Sequence, residues 1–120
     1  MKQYKLGEME QRFAGLIWRY EPISSGELVK LCETELSWKK STTYTMLKRL
    51  CSRGIFENQK GMVTALMSKE DFLAAQGEQF LSEAFGGSLP QFFATFTRRN
   101  RLSRKEILEL QQLIDEHKEV

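Results

Sequence analysis

The first apolar positions, Met9, Phe13, Leu16 and Ile17, follow an i, i+4, i+7, i+8 spacing that lines one face of a helix. Leu6 and Gly7 precede this run, and Pro22 prevents its continuation beyond Tyr20. A second helix opens with Ser24-Ser25-Gly26-Glu27, where a serine hydroxyl accepts from the backbone N–H three residues on and Glu27 reaches back. Leu28, Leu31 and Cys32 form its inner stripe. The polar Glu33-Thr34-Glu35 then leads to Ser37, a cap residue for a third helix expected from Trp38 to Ser52. Thr43, Leu47, Leu50 and Cys51 face inward on that helix, and Gly54 supplies the left-handed residue that ends it.

Ile55-Phe56-Glu57 and Met62 to Leu66 are β-compatible runs, and the Asn58-Gln59-Lys60-Gly61 between them has a turn's composition. Three helices followed by a hairpin is the element order of the winged helix-turn-helix. The rest of the chain returns to helical spacing, with capping signatures at Ser68-Lys69-Glu70-Asp71 and Ser103-Arg104-Lys105-Glu106. Residues 69–85 set Phe72, Leu73, Gln76, Phe80 and Ala84 on one side, with Phe85 beside the Gly86-Gly87 break. Ser88-Leu89-Pro90 opens a short helix carrying Phe92, Phe93 and Phe96, and the last helix repeats Ile107, Leu108, Leu110, Leu113 and Ile114.

The pattern predicts a mainly α fold with a small β-hairpin: a winged helix-turn-helix domain over residues 1–67 and a helical dimerisation segment over 68–120. Six of the chain's 8 Phe fall between positions 72 and 96, more rings than three helices hide easily on one another. Apolar surface of that kind marks an interface, and a two-fold homodimer is its commonest form. Phe72, Phe80, Phe92, Phe93, Phe96, Leu110 and Leu113 are its expected contacts.

Composition narrows the function classes. With 120 residues, 41% hydrophobic and 2 Pro, the chain suits one globular domain or a small domain with an added segment. No stretch approaches the roughly 18 apolar residues of a membrane span, and MKQYKLGEMEQ lacks a signal peptide's apolar core, so a cytoplasmic location is expected. Cys32 and Cys51 lie on apolar stripes without the spacing of a zinc site and read as core residues. His117 stands among Glu116 and Glu119 on a solvated helix. Neither an enzyme activity, a metal nor a cofactor is expected.

The net charge of +2 conceals an asymmetry: residues 1–60 carry 11 Lys or Arg against 7 Asp or Glu, whereas residues 61–120 carry 7 against 9. Lys39, Lys40, Lys48, Arg49, Arg53 and Lys60 concentrate the positive charge between positions 37 and 60, opposed by Glu57 alone. At about 100° per residue the outer face of the third helix carries Ser41, Thr45, Lys48 and Ser52, flanked by Thr42 and Arg49. Duplex recognition needs such a face, with cations for phosphates and short polar groups for base edges. Thr42 and Thr45 are assigned to bases or thymine methyls. Ser41, Tyr44 and Lys48 are assigned to phosphates or sugars, Lys60 to phosphate from the wing tip, and Lys39 and Lys40 to the same basic contact. Arg49 serves either DNA or an internal carboxylate. The competing reading is a winged-helix protein-interaction module with a solvated outer face.

Leu16-Ile17-Trp18, Glu27-Leu28, the run from Trp38 to Leu50 and Arg53-Gly54-Ile55 together resemble the penicillinase-repressor family of the BlaI/MecI type. Within the run, Trp38-x3-Thr42-x2-Thr45-x-Leu47-x-Arg49-Leu50 carries most of the likeness, which extends through Leu102-Ser103 to the helix of Glu106 and Leu110. The resemblance implies a dimeric repressor whose winged helices bind the half-sites of an operator dyad, linked in some members to a β-lactam response. It also implies a sensor-linked protease cutting between Thr95 and Phe96, although Thr95 stands where the family site has Asn; Phe96 as a packed core residue is the alternative. Against the family pattern the hairpin is short and Met62 follows the turn glycine where an Arg is frequent, which points to a weaker wing contact. No Cys occurs in the C-terminal half, unlike the copper-responsive relatives.

Overall fold

The computed structural model describes residues 4–118, and the chain divides into two compact units, Met1–Gln79 and Phe80–Val120. Among the described residues the elements run α1 (Glu8–Tyr20), β1 (Ile23–Ser24), α2 (Ser25–Leu36), α3 (Lys40–Ser52), β2 (Phe56–Gln59), β3 (Met62–Ala65), α4 (Lys69–Phe85), α5 (Leu89–Arg99) and α6 (Arg104–Lys118). The expected class, mainly α with a winged helix and C-terminal helices, is the class observed.

In the first unit, α1 buries Phe13, Ala14 and Ile17, α2 buries Leu28, Cys32 and Leu36, and α3 buries Thr43, Leu47 and Leu50. All of these but Thr43, which is buried as a polar residue, form one core with Ile55, Phe56 and Val63 from the hairpin region. Ser24 caps α2 by accepting from the Glu27 amide at 3.1 Å, and its hydroxyl lies 3.1 Å from the Glu27 carboxylate. The α3 terminus is a Schellman arrangement: Gly54, at φ 79°, donates to the Cys51 carbonyl at 3.0 Å and Ile55 donates to that of Leu50 at 3.2 Å.

Two boundaries differ from the sequence expectation. α2 runs on to Leu36, and Ser37 is its C-cap in the left-handed region at φ 57° rather than the cap of α3. α3 therefore starts at Lys40, with Lys39 as an N-cap that makes no side-chain capping bond. Trp38, expected in the helix, sits in the turn and packs its ring 5.2 Å from that of Phe13. The hairpin gains a third strand: β1 pairs antiparallel with β3, giving the order β1-β3-β2. The β2–β3 connection is the pair Lys60 and Gly61, both at positive φ, as the tightest hairpin turns require.

The division between the two units lies inside α4, between Gln79 and Phe80. Phe72, expected in the dimer contact, is 2% exposed and belongs to the first unit's core. Its ring lies 5.4 Å from Trp18 and 5.9 Å from Tyr4, and Trp18 is fixed in turn by donating from Nε1 to the Met67 carbonyl at 2.9 Å. The first turns of α4 thus complete the winged helix.

Among its described residues the second unit has no such interior. Neither α5 nor α6 contains a buried residue. Phe80, Phe85 and Phe92 meet edge to face at centroid distances of 5.5 to 5.9 Å, and Phe92 lies 5.7 Å from Phe96. Phe80, Phe93, Phe96, Ile107, Leu108, Leu113 and Ile114 nevertheless remain exposed, Leu113 at 61%.

Truncating Phe72 to Ala leaves a ring-sized void beside Trp18 and is expected to lower unfolding free energy by about 3–5 kcal/mol. Urea titration checks this, and an unshifted midpoint contradicts the core placement.

Candidate nucleic-acid interface

Three buried side chains on α3 fix which of its residues meet solvent. With Thr43, Leu47 and Leu50 inward, Lys40, Ser41, Thr42, Thr45, Lys48, Arg49 and Ser52 are exposed and Tyr44 is half-buried at the edge. Lys39 precedes them as the exposed N-cap. The helix thus presents hydroxyls and ammonium groups together, without a carboxylate anywhere along its length. Its N-terminal turn also lacks acidic residues, so nothing there offsets the partial positive charge of the helix end.

The edge of this face is tied to its neighbours. The Tyr44 hydroxyl donates to Ser25 Oγ at 3.2 Å, and the Ser25 backbone N–H donates to the Gly61 carbonyl at 2.7 Å. Ser25 therefore links the middle of α3, the start of α2 and the turn of the wing. Lys60 occupies that turn and is exposed, while Met62 just beyond it is exposed on β3. The structure brings the α3 residues onto one face and places Lys60 at the hairpin tip.

Arg49 makes the internal contact that the sequence held open. Its Nη1 lies 3.8 Å from Glu10 Oε2, yet the side chain stays 56% exposed, so the guanidinium keeps a solvent-facing edge. Glu10 also faces Arg53 Nη1 at 3.9 Å and accepts from the Gly7 amide at 2.9 Å, while Arg53 Nη2 donates to the Lys5 carbonyl at 3.0 Å. This network joins the start of α1 to the end of α3. The energy of such partly exposed pairs is small; their effect is on where the arginines point.

Between α3 and β2 lies a cleft of about 360 Å³ lined by Tyr44, Leu47, Lys48, Cys51 and Asn58. Burial pushes the Cys51 thiol pKa up, and the nearby Glu57 carboxylate adds to the rise. Burial likewise raises Cys32, against a smaller opposing effect from the Thr43 hydroxyl. Both shifts favour the thiol over the thiolate, the form that ligates metals and attacks. Among the described residues no cluster of His, Cys, Asp and Glu is arranged to hold a metal ion, and no helix is long and apolar enough to cross a membrane.

Ser25, Glu10 and Asn58 were not picked out by sequence pattern as parts of this face. Ser25 carried only a capping signal, Glu10 is remote from α3 in sequence, and Asn58 read as turn composition. None has a periodicity of its own that reports the neighbour it meets.

In the second unit, Thr95 and Phe96 lie inside α5, both exposed. The bond between them is helical, so a protease that takes its substrate extended must first unwind α5 there. Phe80, Phe93, Phe96 and Leu113 are exposed, whereas Phe92 and Leu110 are half-buried.

Comparison with known proteins places the sequence in a family. The sequence profile described as Penicillinase repressor matches residues 6–116. The Penicillinase repressor of Bacillus licheniformis is 29% identical over 118 residues, covering 95% of this chain and 92% of that protein. The Methicillin resistance regulatory protein MecI of Staphylococcus aureus is 21% identical, covering 95% and 96%. A Penicillinase repressor of Staphylococcus aureus is 22% identical, covering 96% and 94%. With nearly its whole length matched and a winged helix at its start, the chain belongs to the penicillinase repressor family.

Proposed function

We propose that the protein is a homodimeric transcriptional repressor that binds a dyad operator in duplex DNA and reads each half-site with the outer face of α3. The observation that carries this is the exposed row of Thr42, Thr45, Lys48 and Arg49, held outward by the buried stripe on the opposite side of the helix. Thr42 and Thr45 are short enough to approach base edges, and their methyls suit thymine. Ser41, Tyr44 and Lys48, with Lys39 and Lys40 at the helix start, contact phosphates or sugars, and Lys60 reaches phosphate from the wing. Arg49 adds a phosphate contact from the edge that Glu10 leaves open. With Met62 next to the turn, the wing contributes one cation and little else.

The second unit supplies the dimer. Its helices expose Phe80, Phe93, Phe96 and Leu113 around the half-buried Phe92 and Leu110, and a second copy removes that surface from water. Dimerisation then makes the second half-site contact intramolecular, at a high effective concentration. Loss of the C-terminal interface accordingly releases the operator. A sensor-linked protease acting at Thr95–Phe96 is one route to that loss, after local unwinding of α5. The regulated genes are those of a β-lactam response, a reading supported by the names of the relatives, and the location is the cytoplasm, where the DNA is.

On this reading Thr45→Ala weakens cognate operator binding by about 1–3 kcal/mol and leaves random duplex nearly unaffected. Lys48→Ala lowers affinity for both and flattens the salt slope by about 1 for each half-site. Gel-shift titrations across salt concentrations measure both effects, and equal losses on cognate and random duplex for the two variants contradict the assignment. Absence of any salt-dependent duplex binding favours a protein-interaction module instead.

Phe80→Glu places a carboxylate in the apolar face and is expected to give a folded monomer with weak operator affinity. Sedimentation equilibrium reports the mass, and a dimer of undiminished stability refutes this use of the surface.

A further inference from the structure

The second half of the chain is acidic in sum, yet residues 98–105 read Arg-Arg-Asn-Arg-Leu-Ser-Arg-Lys, with five cations in eight positions. Between Glu83 and Glu106 the sequence contains no Asp or Glu. All five cations lie in the second unit and are exposed. Arg98 and Arg99 end α5, Arg101 stands in the connection, and Arg104 and Lys105 begin α6.

Local structure accounts for only part of this set. Cations suit the C-terminal turn of a helix, so Arg98 and Arg99 are electrostatically well placed on α5. Arg104 and Lys105 are not, because they occupy the first turn of α6, where the helix end already carries partial positive charge. The reciprocal cap between Ser103 and Glu106, with bonds of 3.0 and 3.1 Å, satisfies the backbone at that point and leaves the two cations outside. Among the described residues no carboxylate forms an ion pair with any of the five. Like charges gathered with no internal partner call for an external polyanion.

We infer that Arg98, Arg99, Arg101, Arg104 and Lys105 form a second phosphate-binding surface for duplex DNA, separate from α3 and the wing. The inference rests on the duplex-binding reading above, and that reading favours DNA over other polyanions: once the winged helices hold a duplex, the tethered cluster meets DNA phosphate at high effective concentration. The cluster carries no aromatic side chain between its first and last cation, and charge is the one property its five cations share. Through phosphate contacts it contributes affinity and salt dependence. In a dimer the cluster is present twice. The phosphates belong either to the operator duplex itself or to a second duplex brought beside it.

The test compares operator binding across salt for the full-length wild type, a variant with all five residues changed to Gln, and a variant with all four arginines changed to Lys. A fourth protein, with Lys5, Arg19, Lys30, Lys69 and Lys118 changed to Gln, loses the same charge elsewhere. Two phosphates per protomer correspond to a drop in log–log salt slope of about 3 to 4 for the dimer, at roughly 0.9 for each phosphate. The Gln cluster variant is expected to show this loss, the control a smaller one, and the Lys variant to retain the wild-type slope. Circular dichroism and sedimentation confirm that the fold and the dimer persist in each. Sedimentation of the wild-type complex with excess duplex separates the sources: one duplex per dimer identifies the operator's own phosphates, and two identify a bridged second duplex. A Gln cluster variant whose slope matches the control overturns the inference while leaving the α3 reading intact. A wild type without salt-dependent duplex binding overturns both.

Discussion

The seating of α3 is the constraint on which the rest of the first unit depends. Thr43, Leu47 and Leu50 are sealed against the other helices and the hairpin region, and their positions determine the rotation of the helix about its axis. Turning α3 by one residue, about 100°, moves Tyr44, Lys48 and Cys51 into their places. The Lys48 ammonium then enters an apolar interior without a partner, a penalty far larger than any gain available on the surface. The core therefore chooses which face of α3 meets solvent. Glu10 reinforces the choice at the far end by engaging Arg49 and Arg53 together.

The two units satisfy burial differently. The first closes around its own side chains, and Trp18 is central to that closure because it contacts Phe56 and Phe72 while its indole N–H is satisfied by a backbone carbonyl. The second reaches only partial closure through ring edges among Phe80, Phe85 and Phe92. A helical segment of that size with no buried residue gains little from folding alone, so in the proposed dimer its stability is coupled to protomer concentration.

Much of this was legible in the sequence wherever a side-chain period met a partner of the same element. Phe13 and Ile17 on α1, the inner stripes of α2 and α3 and the capping motifs at Ser24, Ser68 and Ser103 were of that kind, and so was the outer face of α3, whereas Met9 of the α1 stripe is exposed. What escaped depended on tertiary neighbours. Ser37 reads as an N-cap, yet α2 keeps its last turn because Leu36 has a place in the core, and the chain then turns through a left-handed residue that composition does not demand. β1 is two residues long, too short to show alternation. Phe72 and Phe80 share one apolar face of α4 and looked equivalent, but the first is sealed against Trp18 and Tyr4 while the second is half open to solvent. Summing charge over half the chain hid the cations at 98–105 behind the carboxylates of α4 and α6.

The bonds from Tyr44 to Ser25 and from Ser25 to Gly61 also bear on how binding energy is partitioned. A wing that hangs free loses conformational freedom only when it meets DNA, and that loss subtracts from affinity. Here the turn is joined to the start of α2, which is joined to the middle of α3, so much of the turn's freedom is already lost on folding. The hairpin is consequently less an independent arm than a rigid margin of α3, and in the proposed complex a single Lys60 on such a margin would approach phosphate with little entropic loss.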